Sequence, residues 1–219
     1  MAYIFDGATA YLDGVAAGFL DAHTDATVFV RFKTASADGQ CLFHYYFDTG
    51  DAFLLALNLA GGLLNYIEHD NDKEEQYYNI QISDGVWHSI AVTMSTSGSA
   101  HRMYYDGTSQ VYTAADTLCF SSMDANANCY VGVNVYNDET QLDFNGSIAE
   151  IAIWSAVLNA DEISSLDDGF SPKLIRPQSL IHHWSLVRNT NDIVGGENFT
   201  ANNTTIDEHP RIILPHGDI

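Results

Sequence analysis

Basic side chains are scarce: eight Lys and Arg stand against 29 Asp and Glu, a formal charge of −21. Such a chain repels phosphate backbones and anionic headgroups, which excludes nucleic acid as a partner. Cysteine is nearly as sparse. Cys41, Cys119 and Cys129 leave at least one thiol unpaired and match no Cys-x-x-Cys site, so they read as buried thiols. Long apolar runs are also missing. The longest, Ala52 to Leu64, is broken by Asn58 and Gly61-Gly62 and falls short of the roughly 20 residues a membrane helix needs. The opening Met-Ala-Tyr-Ile-Phe-Asp-Gly lacks a basic segment followed by an apolar one, so no secretory leader is expected.

What the chain has is strand-forming residues. Its 219 residues are 46% hydrophobic, enough for one sizeable core, and include twelve Tyr and eleven Phe. Alternation with period two places Val28, Val30 and Phe32 on one face, while Phe29 predicts some burial on the other. Further strands are expected at 41–47, 53–59, 63–69, 86–94, 102–105, 130–135, 147–154 and 180–187. Asp106-Gly107 and Gly61-Gly62 supply hairpin turns that need positive φ. One short helix is signalled over 160–166, where Asn159 and Glu162 form a capping-box pair and Gly169 and Pro172 follow. Many short strands with one helix predict an all-β, two-sheet antiparallel β-sandwich. Residues 188–206, rich in Asn and Thr, read as a long polar loop. The organisation expected is a sandwich over 1–171, with 172–219 docked on it through Trp184.

Four segments carry a family resemblance. They are Ile4-Phe5-Asp6-Gly7 with Ala10-Tyr11-Leu12, Trp87-His88-Ser89-Ile90-Ala91-Val92-Thr93, Met103-Tyr104-Tyr105-Asp106-Gly107, and Phe144 to Trp154 followed by Leu158 and Glu162-Ile163. Their order and spacing resemble the laminin-G-like, concanavalin A-like lectin/glucanase superfamily. The resemblance implies a jelly roll. It leaves function open, because one fold hosts many unrelated activities.

A retaining glucanase needs two carboxylates about 5 to 5.5 Å apart, yet alternation from Glu150 puts Ala152 and Trp154 where an acidic partner should stand. No enzyme is expected. His182 and His183 point to opposite faces of a strand and cannot share a zinc ion, and His88 reads as a hydrogen-bonded structural residue. Calcium is the one cofactor left open: Asn137, Asp138, Glu139 and Asp143 lie where a pentraxin-like calcium loop would be. Glu68, Asp70, Asp72, Glu74 and Glu75 read instead as a solvated acidic loop.

For sugars, Tyr45-Tyr46, Tyr77-Tyr78 and Tyr104-Tyr105 supply aromatic faces and Asn126, Asn128, Asn134 and Asn137 supply amides. Tyr77, Tyr78, Asn134 and Tyr136 are the expected ligand residues. The tail from 171 is almost balanced, with five acidic and four basic residues, so Trp184, Arg188 and Arg211 are the expected partner contacts. The leading expectation is a non-catalytic surface protein: a bacteriophage capsid decoration, cement or fibre protein at the virion surface, contacting shell protein or further copies of itself. The alternative is a lectin-like, carbohydrate-binding or host-adhesion module.

Overall fold

The computed structural model describes residues 2–48, 51–59, 62–69, 72–98, 101–110, 118–123, 126–136 and 139–214, with backbone alone at 63–69 and 72–77. In chain order the strands are β1 (Ala2–Asp6), β2 (Tyr11–Asp13), β3 (Asp25–Thr34), β4 (Gln40–Asp48), β5 (Asp51–Leu59), β6 (Gly62–His69), β7 (Asp72–Tyr78), β8 (Trp87–Ser95), β9 (Arg102–Tyr105), β10 (Thr108–Ser109), β11 (Asn128–Val131), β12 (Asn134–Tyr136), β13 (Glu139–Gln141), β14 (Asn145–Trp154), β15 (Leu180–Trp184), β16 (Thr200–Asn202) and β17 (Thr205–Asp207). The helix α1 spans Ala160–Asp167.

Two antiparallel sheets face each other. The back sheet runs β10-β9-β8-β3-β14-β1-β17, with β15 also paired to β14, and the front sheet runs β16-β2-β11-β4-β5-β6-β7. Val28, Val30, Phe32, Ile90 and Ile151 from the back meet Phe43, Tyr45, Phe53 and Leu55 from the front in one buried core. This is the alternation read from the sequence, with each strand giving every second side chain to the interior.

Phe29 is indeed buried from the other side. It packs with Ala91, Tyr104, Ala152 and Trp154 under α1 in a second cluster, on the outer surface of the back sheet. The helix is held there by its ends. At the start, Asn159 Oδ1 accepts from the Glu162 amide at 3.0 Å and Glu162 Oε2 from the Asn159 amide at 2.8 Å, a reciprocal cap typically worth about 1 kcal/mol. At the other end Arg31, reaching out from β3, donates to the Leu166 and Asp167 carbonyls, where the helix dipole favours a cation.

Two segments read as loops are strands. Asp72, Glu74 and Glu75 belong to β7, an edge strand paired residue for residue with β6, and an edge tolerates charges that a central strand does not. The polar stretch 188–206 is also ordered. It contributes β16 against β2, and β17 follows directly against β1, so the tail supplies an edge to each sheet. Asp192 organises its turn by accepting from the amides of His183, Val194, Gly195 and Glu197 and bonding His182 Nδ1 at 2.7 Å. Those bonds hold its carboxyl down to about 2, although burial pushes the other way.

Candidate functional site

The outer surface of the front sheet is built by the residues that the core does not take. On β11, Cys129 and Val131 point inward, while Asn128 is exposed and Tyr130 half-buried. Across the ladder, Asn128 pairs with Tyr46 and Tyr130 with His44. The three rings lie at shallow angles: His44 is 5.1 Å from Tyr46 at 33° and 6.4 Å from Tyr130 at 34°. Beside Tyr130 opens a groove of about 190 Å³, lined by Asp13, Gly14, Val15, Asn128 and Tyr130. An aromatic strip, an amide and a carboxylate thus converge on one shallow depression.

One end of this face is roofed. Gly132, at φ +81°, turns the chain out of β11, and a Cβ there would lie 2.4 Å from the Phe5 ring. The chain then forms the β12–β13 hairpin, whose Val135 amide donates to His44 Nδ1 at 3.2 Å. Leu142, at its foot, packs with Leu59 against Cys41, Leu54 and Ala56. Burial under this arm lowers the His44 pKa to about 3, so the ring stays neutral and accepts at Nδ1. The arm ends the aromatic strip on one side and leaves Tyr46 and Tyr130 partly open.

The expected ligand residues divide. Asn134 and Tyr136 are on the arm, Tyr136 exposed. Tyr78 is corrected: it packs against the main core, because β7 turns it inward. Tyr77 pairs with Leu64 at the sheet edge. Tyr45 is fully buried, its hydroxyl bonded to Asp21, and Tyr104 is under α1. Of the calcium set, Asn137 and Asp138 lie outside the described residues. Glu139 is exposed across the hairpin from Tyr136, and Asp143 has its carboxyl pushed up by burial and then by the charge of Asp6. Among the described residues no three His, Cys, Asp or Glu side chains are grouped to hold an ion.

Trp184 as a partner contact is also corrected. It is fully buried, stacked on His182 at 5.4 Å and 11°, with its indole N–H donating to the Glu197 carbonyl. Arg188 and Arg211 are exposed. The histidine pair separates as alternation requires: His182 bonds Asp192 in the interior, while His183 Nε2 bonds Glu150 Oε1 at 2.9 Å on the outer side of the back sheet. His88 is anchored by Asp106, Asp84 and Tyr105. Burial disfavours its charged form, but the bonds to the two carboxylates outweigh this and raise its pKa.

The sequence offers Tyr46 among its aromatic faces and Asn128 among its amides without joining them, and it singles out neither Tyr130 nor Asp13. Their alternation was visible, but only the ladder shows which strands are neighbours.

The architecture is a two-sheet jelly roll with an aromatic strip on its open face. The chain belongs to the concanavalin A-like lectin/glucanases superfamily, whose Laminin_G_3 model matches residues 6–164. Similar solved structures share the jelly-roll fold. A candidate carbohydrate binding protein from Bacteroides ovatus superposes with TM-score 0.70 at 16% identity, over 97% of this chain and 61% of that one. The heptameric SAP-like pentraxin of Limulus polyphemus gives TM-score 0.62 at 14% identity over 94% of both. The CBM40 of the Ruminococcus gnavus IT-sialidase gives 0.59 at 17%, over 71% of this chain and 93% of that one. At these identities the likeness is one of fold. In sequence, the rat sushi, von Willebrand factor type A, EGF and pentraxin domain-containing protein 1 is 26% identical over 117 residues, which is 51% of this chain and 3% of that protein's length.

Proposed function

We propose that this chain is a non-catalytic, lectin-like module that binds uncharged glycans on the outer face of its front sheet. The observation that carries it is the 190 Å³ groove lined by Tyr130, Asn128 and Asp13, with Tyr46 paired to Asn128 on the neighbouring strand. Aromatic faces take the apolar side of a sugar ring, and the amide and carboxylate take its hydroxyls. With −21 formal charge on the chain, and Asp13 in the groove, an anionic sugar is opposed electrostatically. The carboxylate nearest to a glucanase motif, Glu150, supports a binding role. It is fully buried on the far side of the back sheet and held by His183, so it cannot reach a glycosidic bond.

The relatives named above favour this reading over attachment to a virus shell, which rests on the sequence alone. The test is a glycan array followed by calorimetry on the hits, with calcium and with chelator. Saturable binding to neutral glycans should weaken at least tenfold, about 1.4 kcal/mol, in Tyr130→Ala. Binding that survives chelation assigns the site to side chains alone, and binding only with calcium brings in the acidic residues of the sequence segment 137–143. No saturable binding to any neutral glycan sinks the proposal.

A further inference from the structure

On the opposite side of the sandwich a second cavity, of about 430 Å³, lies between β15, the turn after α1 and the returning tail. Val187, Ile193, Pro210, Ile212 and Leu214 give it a largely apolar surface, with Lys173, Ser185 and His209 also in its lining. The described part of the tail that forms one wall is held at several points. Ser171 and Ile213 are joined by an amide-to-carbonyl bond of 2.9 Å, the Ile213 amide donates to the Gly169 carbonyl at 2.6 Å, and His209 Nε2 stands 3.1 Å from the Ala149 carbonyl and 3.0 Å from that of Ser185. The cavity is therefore preformed, which reduces the ordering cost of binding.

Two polar side chains line it and are otherwise buried, Ser171 at 1% exposure and His183 at 2%. Among the described residues, neither Ser171 Oγ nor His183 Nδ1 has a hydrogen-bond partner. Buried polar atoms are rarely left so, and each such pair calls for a specific explanation. The chemistry of His183 is set from behind. Its Nε2 faces the Glu150 carboxylate at 2.9 Å, so in the neutral ring the proton sits on Nε2 and Nδ1 is the acceptor. Ser171 can donate. The two together match one hydroxyl group, whose hydrogen goes to His183 Nδ1 and whose oxygen accepts from Ser171 Oγ.

We propose that this cavity binds a small apolar molecule bearing one hydroxyl group, of the phenol or alkanol class, with the hydroxyl on Ser171 and His183 and the body against Val187, Ile193 and Ile212. The probes are 4-ethylphenol and ethylbenzene, which share the body and differ in the hydroxyl, titrated calorimetrically into the full chain. We expect one-to-one binding of 4-ethylphenol with at least a tenfold preference over ethylbenzene, since an unmade hydrogen bond at a buried polar group costs about that factor or more. Ser171→Ala should shrink the preference. Ile193→Trp, at a wall position 44% exposed and so tolerant of substitution, should close the cavity and abolish binding with the fold intact by circular dichroism. Absence of saturable binding, equal affinity for the two probes, or 4-ethylphenol binding unchanged in Ile193→Trp would overturn the assignment. Glycan binding on the front sheet should not change in either variant.

Discussion

Removing the Arg31 guanidinium should expose how the outer side of the back sheet is held together. Arg31 Nε is 3.9 Å from Glu150 Oε2, with side chains 7% and 0% exposed, and the rest of the fork donates to the last carbonyls of α1. Glu150 also bonds His183. In Arg31→Met the carboxylate keeps its burial and loses its cation, and breaking such a pair from one side typically costs about 3–5 kcal/mol. The freed helix carbonyls add about 1 kcal/mol, so a total near 4–6 kcal/mol is expected. For a chain of this size each kcal/mol moves Tm by about 2–4 °C, which predicts a drop on the order of 8–24 °C. Glu150→Gln keeps an acceptor for His183 and removes the charge. Arg31→Met combined with Glu150→Gln should therefore recover about 2–3 kcal/mol of the loss, a coupling read from urea denaturation of the four proteins. A single-mutant loss below about 1 kcal/mol, or simple additivity in the cycle, would refute the reasoning.

Three further outcomes follow from buried groups. His44 titrates near 6.5 when unfolded and about 3 when folded. Its contribution to stability is thus complete above pH 6.5 and falls as pH drops toward 3, by about 1.4 kcal/mol per pH unit inside that window. Between pH 7 and 5 the wild type should lose about 2 kcal/mol more than His44→Gln by urea midpoint, and parallel pH profiles would count against the buried neutral ring. Gly195→Ala would put a Cβ 2.3 Å from His182 Nδ1 and 2.5 Å from the Ile181 carbonyl, forcing the His182–Asp192 pair apart. A loss of about 3 kcal/mol in thermal or urea melts is expected, and a loss under 1 kcal/mol would mean that the turn has room to move. Burial raises all three thiols, Cys119 to about 12. The native protein should react with no equivalent of a thiol reagent and the urea-unfolded protein with three; fast native labelling would show that one of these sites opens.

Much of the architecture was written in local chemistry. The two-residue alternation of β3, β8 and β14, the positive-φ turn at Asp106-Gly107 and the Asn159–Glu162 cap each depend on neighbours a few residues away, so periodicity and residue type determine them. The opposite orientations of His182 and His183, and the lack of a second carboxylate beside Glu150, were legible for the same reason. The site was not, because the β4–β11 ladder alone brings Asn128 beside Tyr46 and Tyr130 beside His44, and Asp13 comes from a third strand. Charge misled the reading at β7, where acidic residues form an edge strand, and polarity misled it at 188–206, where Asp192 replaces an apolar core with hydrogen bonds. Trp184 and Tyr78 show the remaining limit. Sequence marks an aromatic side chain as worth burying, but whether it faces the core, a groove or a partner depends on which strand lies opposite, and only the assembled sheets decide that.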